Sequence, residues 1–488
     1  MNSFRLLPAL ALSVFLAVAS AVVTRAQPFF NPTSGNWALP ANWSTGQLPT
    51  SSQSASLWNQ SAIIDTPGAT AGAFYLAGAS SLTVQDGGSG TFAGIYVNMF
   101  TTGDSSLTIT GEDSVLTSTV TDYVGWMPAS NALITVADGG HYAATQVNLG
   151  YYTDSTHLST LRVTGEDSLF TTTGNLSVGY FGRGSFELSG GATAITGSAS
   201  IASGSIGDNG ATVGTATITG TGTSWQTTGS LTIGAGDDDE YYTRGSLTVS
   251  DGANLTVTDG SIVISRNGTF YMGTGGNSGT ISAAGIVFGD TWVNTGKLIF
   301  NHSDNLTFST PISGYGEVIK NGSGRLTLTG ANTFSHLTIN AGTVRFDNAT
   351  AFGGNLRVVN LAGGGLELNG IDQALYSLKV TADSSIRFLG ASTLSIYAFD
   401  AATDWDRTIE LYDFVLGSDK IHIGSSLTSE QLAQFHLAGY TTGIDDSNYL
   451  TFTALPASVP EPATAAMLVG FVTLTVTLAT QRRRTVRA

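Results

Sequence analysis

Cysteine is absent from this 488-residue chain, which excludes disulfide stapling, thiolate catalysis and cysteine-based zinc sites. Charge is sparse at 11% of residues. Helical periodicity is nearly absent between the two ends of the chain. Six histidines, at 141, 157, 302, 336, 422 and 436, show no metal-ligand spacing and read as surface or turn residues. No nucleophile-elbow pattern is present either, so nothing marks a hydrolase serine. A chain this poor in staples must be held by backbone ladders and an apolar core.

Glycine is plentiful, with 61 residues. Long runs alternate Val, Ile, Leu or Phe with Thr, Ser or Asn, the period-two signature of half-buried strands. The expectation is an all-β chain, laid out as one long repeat domain. The formal charge is −16, and removal of both ends would make it more acidic. Such a surface repels nucleic acid and anionic lipid, so neither is an expected partner.

The ends carry their own signals. Arg5, the apolar run from Leu6 to Val23 and Thr24-Arg25-Ala26 form the pattern of a secretory signal over residues 1–26. Ala19-Ser20-Ala21 is a second cleavage site by the same pattern, and an uncleaved anchor helix is the alternative. At the other end, Pro460-Glu461-Pro462 precedes the uncharged run Ala463 to Thr480, followed by Arg482, Arg483 and Arg484. Eighteen helical residues span about 27 Å, enough for a bilayer core. The arginines would stay cytoplasmic and the preceding chain outside. This end, over residues 459–488, resembles the PEP-CTERM sorting domain. Residues 395–458 read as a C-terminal β region before the anchor, and from Ser395 to Leu455 they also resemble the lead-in of that family, through Trp405, the strand-like Thr408 to Val415 and Leu427 to Leu432. It implies an exosortase-type sorting protease as partner: an inner-membrane anchor before processing, then transfer to the cell surface or extracellular polymer. A permanent single-pass anchor is the alternative.

Between the ends, residues 27–103 read as an N-terminal cap with the first coils. Trp37 and Trp43 lie in a Gly-Asn-Trp…Asn-Trp-Ser-Thr-Gly pattern, suited to sealing an open coil; a sugar-stacking platform is the rival reading. Over residues 104–293 a repeat recurs. Leu107-Thr-Ile-Thr-Gly111-Glu-Asp-Ser114 returns as Leu161-Arg-Val-Thr-Gly165-Glu-Asp-Ser168 and as Ala216-Thr-Ile-Thr-Gly220-Thr-Gly-Thr223, with glycines 54 and 55 residues apart. Half-repeats end in Val124-Gly125, Leu149-Gly150, Val178-Gly179 and Ile233-Gly234, and Gly-rich turns lie at Asp138-Gly139-Gly140, Gly190-Gly191 and Asp251-Gly252. Such periods mean solenoids or propellers. Short strands without a Trp-Asp pattern favour the solenoid, one half-repeat to a coil. Over about residues 104–265 this region resembles repeats shared by autotransporter passengers and PEP-CTERM proteins. Residues 294–394 carry a second repeat, through Gly322-Ser-Gly324-Arg-Leu-Thr-Leu-Thr-Gly330 and Leu337-Thr-Ile-Asn-Ala-Gly342-Thr-Val344. It resembles the autotransporter-associated β-strand repeat, which implies a right-handed parallel β-helix. Autotransporters end in a membrane β-barrel; the arginine-tailed segment here sets the expectation of sorting instead. At roughly 20–25 residues and about 4.8 Å per coil, residues 50–400 would extend on the order of 70 Å.

The search for chemistry yields weak candidates. Glu112-Asp113 and Glu166-Asp167 are equivalent in successive repeats, but a residue that repeats serves the repeat, and the third copy holds neither carboxylate. Paired carboxylates at defined distances would be needed for a glycosidase. Asp237, Asp238, Asp239 and Glu240 form the densest charge run, a calcium candidate by ligand type and otherwise a solvated loop. No catalytic residue, cofactor or firm metal site is assigned. The expectation is a structural or adhesive surface rod that binds extracellular polysaccharide weakly per coil and additively over many. The alternative is a polysaccharide lyase or hydrolase. A groove of non-repeating Asp, Glu, Arg and aromatics would favour the enzyme, and a uniform Thr/Ser/Asn face the rod.

Overall fold

The computed structural model describes residues 27–100, 102–126, 130–151, 153, 156–202, 212–234, 243–289, 296–347 and 358–456. The signal segment, the acidic run 237–240 and the sorting motif, from Pro460 through Arg484, lie outside the described residues. Among the described residues no helix is long and apolar enough to cross a membrane.

The chain winds into stacked coils whose strands pair in parallel. One system of 34 strands and one of seven hold the coils, and an antiparallel hairpin, Tyr440–Ile444 with Leu450–Ala454, stands apart. A typical coil has three strands: Ser105–Thr110, Val115–Ser118 and Thr121–Val124. The next coil repeats them as Ala132–Ala137, His141–Ala144 and Gln146–Leu149. Leu107 pairs with Ile134 and Ile134 with Leu161, so the 54-residue repeat is two coils of 27.

Alternation within each strand sends every second side chain inward. Leu82, Leu107, Ile134, Leu161, Phe186, Ala216, Leu247, Phe270 and Leu298 stack in one register column and are buried. Each large apolar side chain withdrawn from water contributes about 1.5–3 kcal/mol. The backbone hydrogen bonds are meanwhile satisfied by the coils on either side.

The two-coil period has a local cause at the turn after the first strand. In one coil Gly111-Glu-Asp-Ser114 makes the turn; in the next, Asp138-Gly139-Gly140 does. Ser168 Oγ accepts from the Gly139 N–H at 3.2 Å, Ser114 Oγ from the Gly87 N–H at 3.2 Å, and Thr223 Oγ1 from the Gly191 N–H at 3.0 Å. Each pair of unlike turns is thus locked together by one buried hydroxyl.

Coil length departs from the expected 20–25 residues. Phe186 pairs with Ala216 and Ala216 with Leu247, offsets of 30 and 31, as more residues separate the third strand of one coil from the first strand of the next. Beyond Lys297 the corners shorten. Leu298 pairs with Val318 and Val318 with Leu337, offsets of 20 and 19, as third-face and first-face strands merge into single long ones such as Ile312–Lys320. The second faces of these tighter coils form the seven-stranded sheet.

Both ends of the described stack are covered. Trp37 and Trp43 lie edge to face at 4.6 Å, the Trp43 indole N–H donates to the Trp37 carbonyl at 2.9 Å, and Phe30, Phe74 and Phe92 pack around them. At 2% and 1% exposure these indoles offer no ring face to a sugar. The opposite end is closed by the hairpin and the one-turn helix Ser429–Leu432. A capping box fixes that helix: Thr428 Oγ1 accepts from the Gln431 N–H, and the Gln431 side chain accepts from the Thr428 N–H.

Candidate functional site

The repeated carboxylates stand in turns. Asp113 and Asp167 have φ of 62° and 61°, and Gly222 takes the equivalent position at 82°. The left-handed region is tolerated by Asp and costs Gly nothing, so the shared property of the three copies is backbone conformation, not a carboxylate. Glu112 and Glu166 are exposed beside them. No group of three or more His, Asp or Glu side chains among the described residues is placed to hold a metal ion. One histidine corrects the surface reading. His302 is fully buried; its Nδ1 lies 2.9 Å from the Asp304 carbonyl and 3.2 Å from the Asp304 carboxylate. Burial, then the nearby Lys320, holds its pKa below the usual histidine value. Lys320 is buried too, its ammonium bonded to the Gly322 carbonyl, and desolvation pulls its pKa down to about 8. This cluster plugs the interior where the tighter coils begin.

The surface feature that sequence reasoning missed is an aromatic strip along the third face and its corner. Tyr75, Tyr96 and Tyr123 stand in register on successive coils, with ring centroids 5.0 and 5.5 Å apart. In the next two coils the same column holds Asn148 and Ser177. These small polar side chains leave room for aromatics from the corner. Trp126 and Tyr151 stack at 4.4 Å, Tyr151 and Tyr180 at 5.6 Å, and Tyr123 meets Tyr151 edge-on at 4.7 Å. Phe181 closes one end against Tyr180. Phe100 and Trp58 extend the other beyond Tyr75. From Tyr75 to Tyr180 the strip crosses four coil spacings, about 19 Å.

Where the rings stack, as Tyr96 does on Tyr123 and Tyr151 on Tyr180, they present their faces to each other, which leaves their edges for the outside. Ring edges carry the positive rim of the aromatic quadrupole, suited to the oxygens of a hydroxyl-rich neutral chain. The phenols stay protonated: burial first, then the proximity of Tyr75, Tyr123, Asp122 and Tyr151, pushes Tyr96 up to about 12. Burial likewise raises Tyr75, Tyr123 and Tyr151. A signal did exist in the sequence. Trp126, Tyr151 and Tyr180 each follow the glycine of an apolar-Gly mark. At Gly179 that glycine is required, since φ is 72° and a Cβ would meet the Val213 carbonyl oxygen at 2.5 Å.

The remaining outward faces divide in two. In the wider coils Thr83, Thr108 and Thr135 form one column, and Thr217 and Thr248 continue it beyond an Arg162–Glu187 ion pair. On the seven-stranded sheet the column Thr327, Arg345, Glu367, Arg387 and Tyr412 does not repeat. It borders a groove of the lining type that favours an enzyme. Yet Glu367 is the single carboxylate among the residues lining that groove, and the Arg325 guanidinium lies 3.0 Å from it. The second carboxylate of a glycosidase pair is missing there.

The fold so described is that of a parallel β-solenoid. Within it, residues 318–346 match the passenger-associated-transport-repeat family, which covers one of the tight coils. Over 270 residues, 53% of this chain, the sequence is 29% identical to the adhesin BmaC autotransporter of Brucella suis biovar 1 (strain 1330). The match takes in 8% of that relative's length. No solved structure matches.

Proposed function

We propose that this chain is an exported, adhesive β-solenoid of the cell surface or extracellular polymer, which holds neutral polysaccharide along its aromatic strip. The observation that carries the reading is the unbroken ring series from Tyr75 to Tyr180 on the outside of a stack whose interior is filled. Likeness over half the chain to an autotransporter adhesin supports it, as does the passenger-type repeat. In this reading the coils take the right-handed sense that the repeat resemblance implies. Binding is weak at each coil and accumulates along the strip. Delivery runs through the Pro460-Glu461-Pro462 signal and an exosortase-type protease, after which the arginine-tailed anchor is lost.

Two experiments test this. In the first, the full chain is incubated with insoluble neutral polysaccharides and the bound fraction measured against a Tyr96→Ser, Tyr123→Ser, Tyr151→Ser variant. The strip account expects at least a tenfold loss of retention with coil content unchanged by circular dichroism; equal retention would remove the strip as the site. In the second, cells with and without the sorting protease are fractionated and the protein weighed by intact mass. Loss of the segment after residue 460 only when the protease is present is the expected result, and identical masses would rule that delivery out.

A further inference from the structure

Basic side chains are unevenly placed on this acidic chain: nine of 19 Lys and Arg fall between Lys297 and Lys420. Several of them meet on the outer side of the seven-stranded sheet. There a groove of about 350 Å³ is lined by Asn305, Arg325, Thr343, Glu367, Arg387 and Tyr412, among others. These residues come from or adjoin six successive second-face strands, so the groove runs along the coil axis for five spacings, about 24 Å. It is therefore shaped for a chain, not for a small ion.

Its chemistry is set by two guanidinium groups in different states. Arg325 reaches across two coils to Glu367, which is 3% exposed. Gly365 stands in Arg325's own column two coils on, where a Cβ would meet Ser385 Oγ at 2.7 Å and Thr343 Cγ2 at 3.2 Å. Arg325 and Glu367 thus neutralise each other in the groove floor. Arg387 is different. Its guanidinium lies over the Tyr412 ring, 5.4 Å from the centroid. Its ion pair with Asp413 is long, at 3.6 Å, with both side chains well exposed, so it exchanges readily with a competing anion. Hydroxyl and amide side chains of Ser303, Asn305, Ser323, Thr343 and Ser385 complete the lining.

We propose that this groove binds a carboxylated polysaccharide, a uronate chain laid along the axis with one carboxylate on Arg387. A planar guanidinium fork matches a carboxylate bidentately, Tyr412 walls the same position, and the hydroxyl rows meet the sugar oxygens. The floor pair keeps the rest of the groove neutral, so the charge selected is that of one sugar in register. This site is separate from the aromatic strip and stands whether or not the strip binds neutral chains.

The test is calorimetry on the full chain with a galacturonate oligomer long enough to span five coils. Binding should weaken as salt rises and by tenfold or more in Arg387→Ala. It should be partly kept in Arg387→Lys and tighten in Asp413→Asn, an exchange that removes the charge at a left-handed position that Asn tolerates, with the thermal transition unchanged in each. The Tyr151→Ser variant should bind the uronate as the parent does; if it does not, the strip is the site and the groove proposal fails. Equal affinity for a neutral glucan of the same length would overturn it. So would a monomeric galacturonate or inorganic sulfate that binds as tightly as the oligomer, since the groove would then be a simple anion site.

Discussion

Asp122 sits wholly inside the coil stack, where it accepts hydrogen bonds from the Ile95 N–H and Ser118 Oγ, both at 2.6 Å, and from the Tyr142 hydroxyl. Burial raises its pKa from 3.8 to about 7, against the opposing pull of those three donors. Between these two values the folded chain holds a proton that the unfolded chain has lost. The stabilising contribution is therefore complete below about pH 4 and is lost as pH rises through 7, a swing on the order of 4 kcal/mol. Thermal unfolding followed by circular dichroism should show a lower transition at pH 8 than at pH 5. In Asp122→Asn the difference should shrink, because the amide oxygen still accepts from Ile95 and nothing titrates. A parent whose transition is the same at both pH values would contradict this. None of it was legible beforehand. Asp122 precedes Tyr123 in a strand that reads as ordinary alternation, and an inward carboxylate is visible only once Ser118 and Tyr142 are brought to it. His302 escaped for the same reason: its burial comes from the coils above and below.

At the scale of the turn, much more was readable. The 54-residue period, the glycine marks and the recurrence of Glu-Asp all appear in the sequence, and the half-repeats coincide with coils. What spacing alone does not reveal is why two unlike turns alternate. The buried hydroxyl of one turn satisfies a backbone N–H of its neighbour, a contact between residues 27 to 32 positions apart. Ser168→Ala should thus leave the Gly139 N–H without its partner and cost about 1–3 kcal/mol. Asp167→Gly should be close to neutral, as Gly222 already shows in the third copy, while Asp167→Ala incurs about 1–2 kcal/mol of left-handed strain. Chemical denaturation of the three variants checks the ranking, and an Asp167→Gly loss as large as that of Ser168→Ala would refute it. The aromatic strip belongs to this scale as well. Its residues were in view, one place after each apolar-Gly mark, but the shift from strand column to corner column hides the continuity.

Seen as a whole, the molecule is a stack whose ends need covering and whose sides carry the proposed binding surfaces. The N-terminal Trp37–Trp43 cluster closes what would otherwise be an open row of strand edges. Trp43→Ala should cost about 3–5 kcal/mol and expose a template for end-to-end pairing. Size-exclusion chromatography should then show concentration-dependent oligomers that the parent lacks; a monodisperse variant would argue against the capping role. Along the sides, the wide coils present threonine columns and the aromatic strip, and the tight coils present the charged groove. A second repeat was expected over residues 294–394, but neither the tighter coils from Lys297 nor a surface of their own was legible in it. The central claim is that adhesion accumulates coil by coil along the strip. It is tested most directly by titrating the full chain with neutral oligosaccharides of increasing length while assaying for new reducing ends. Affinity should climb with each added sugar until the oligomer matches the roughly 19 Å strip, then level off, with no ends released. A disaccharide that binds as tightly as the longest oligomer, or shortening of the oligomers themselves, would contradict the account.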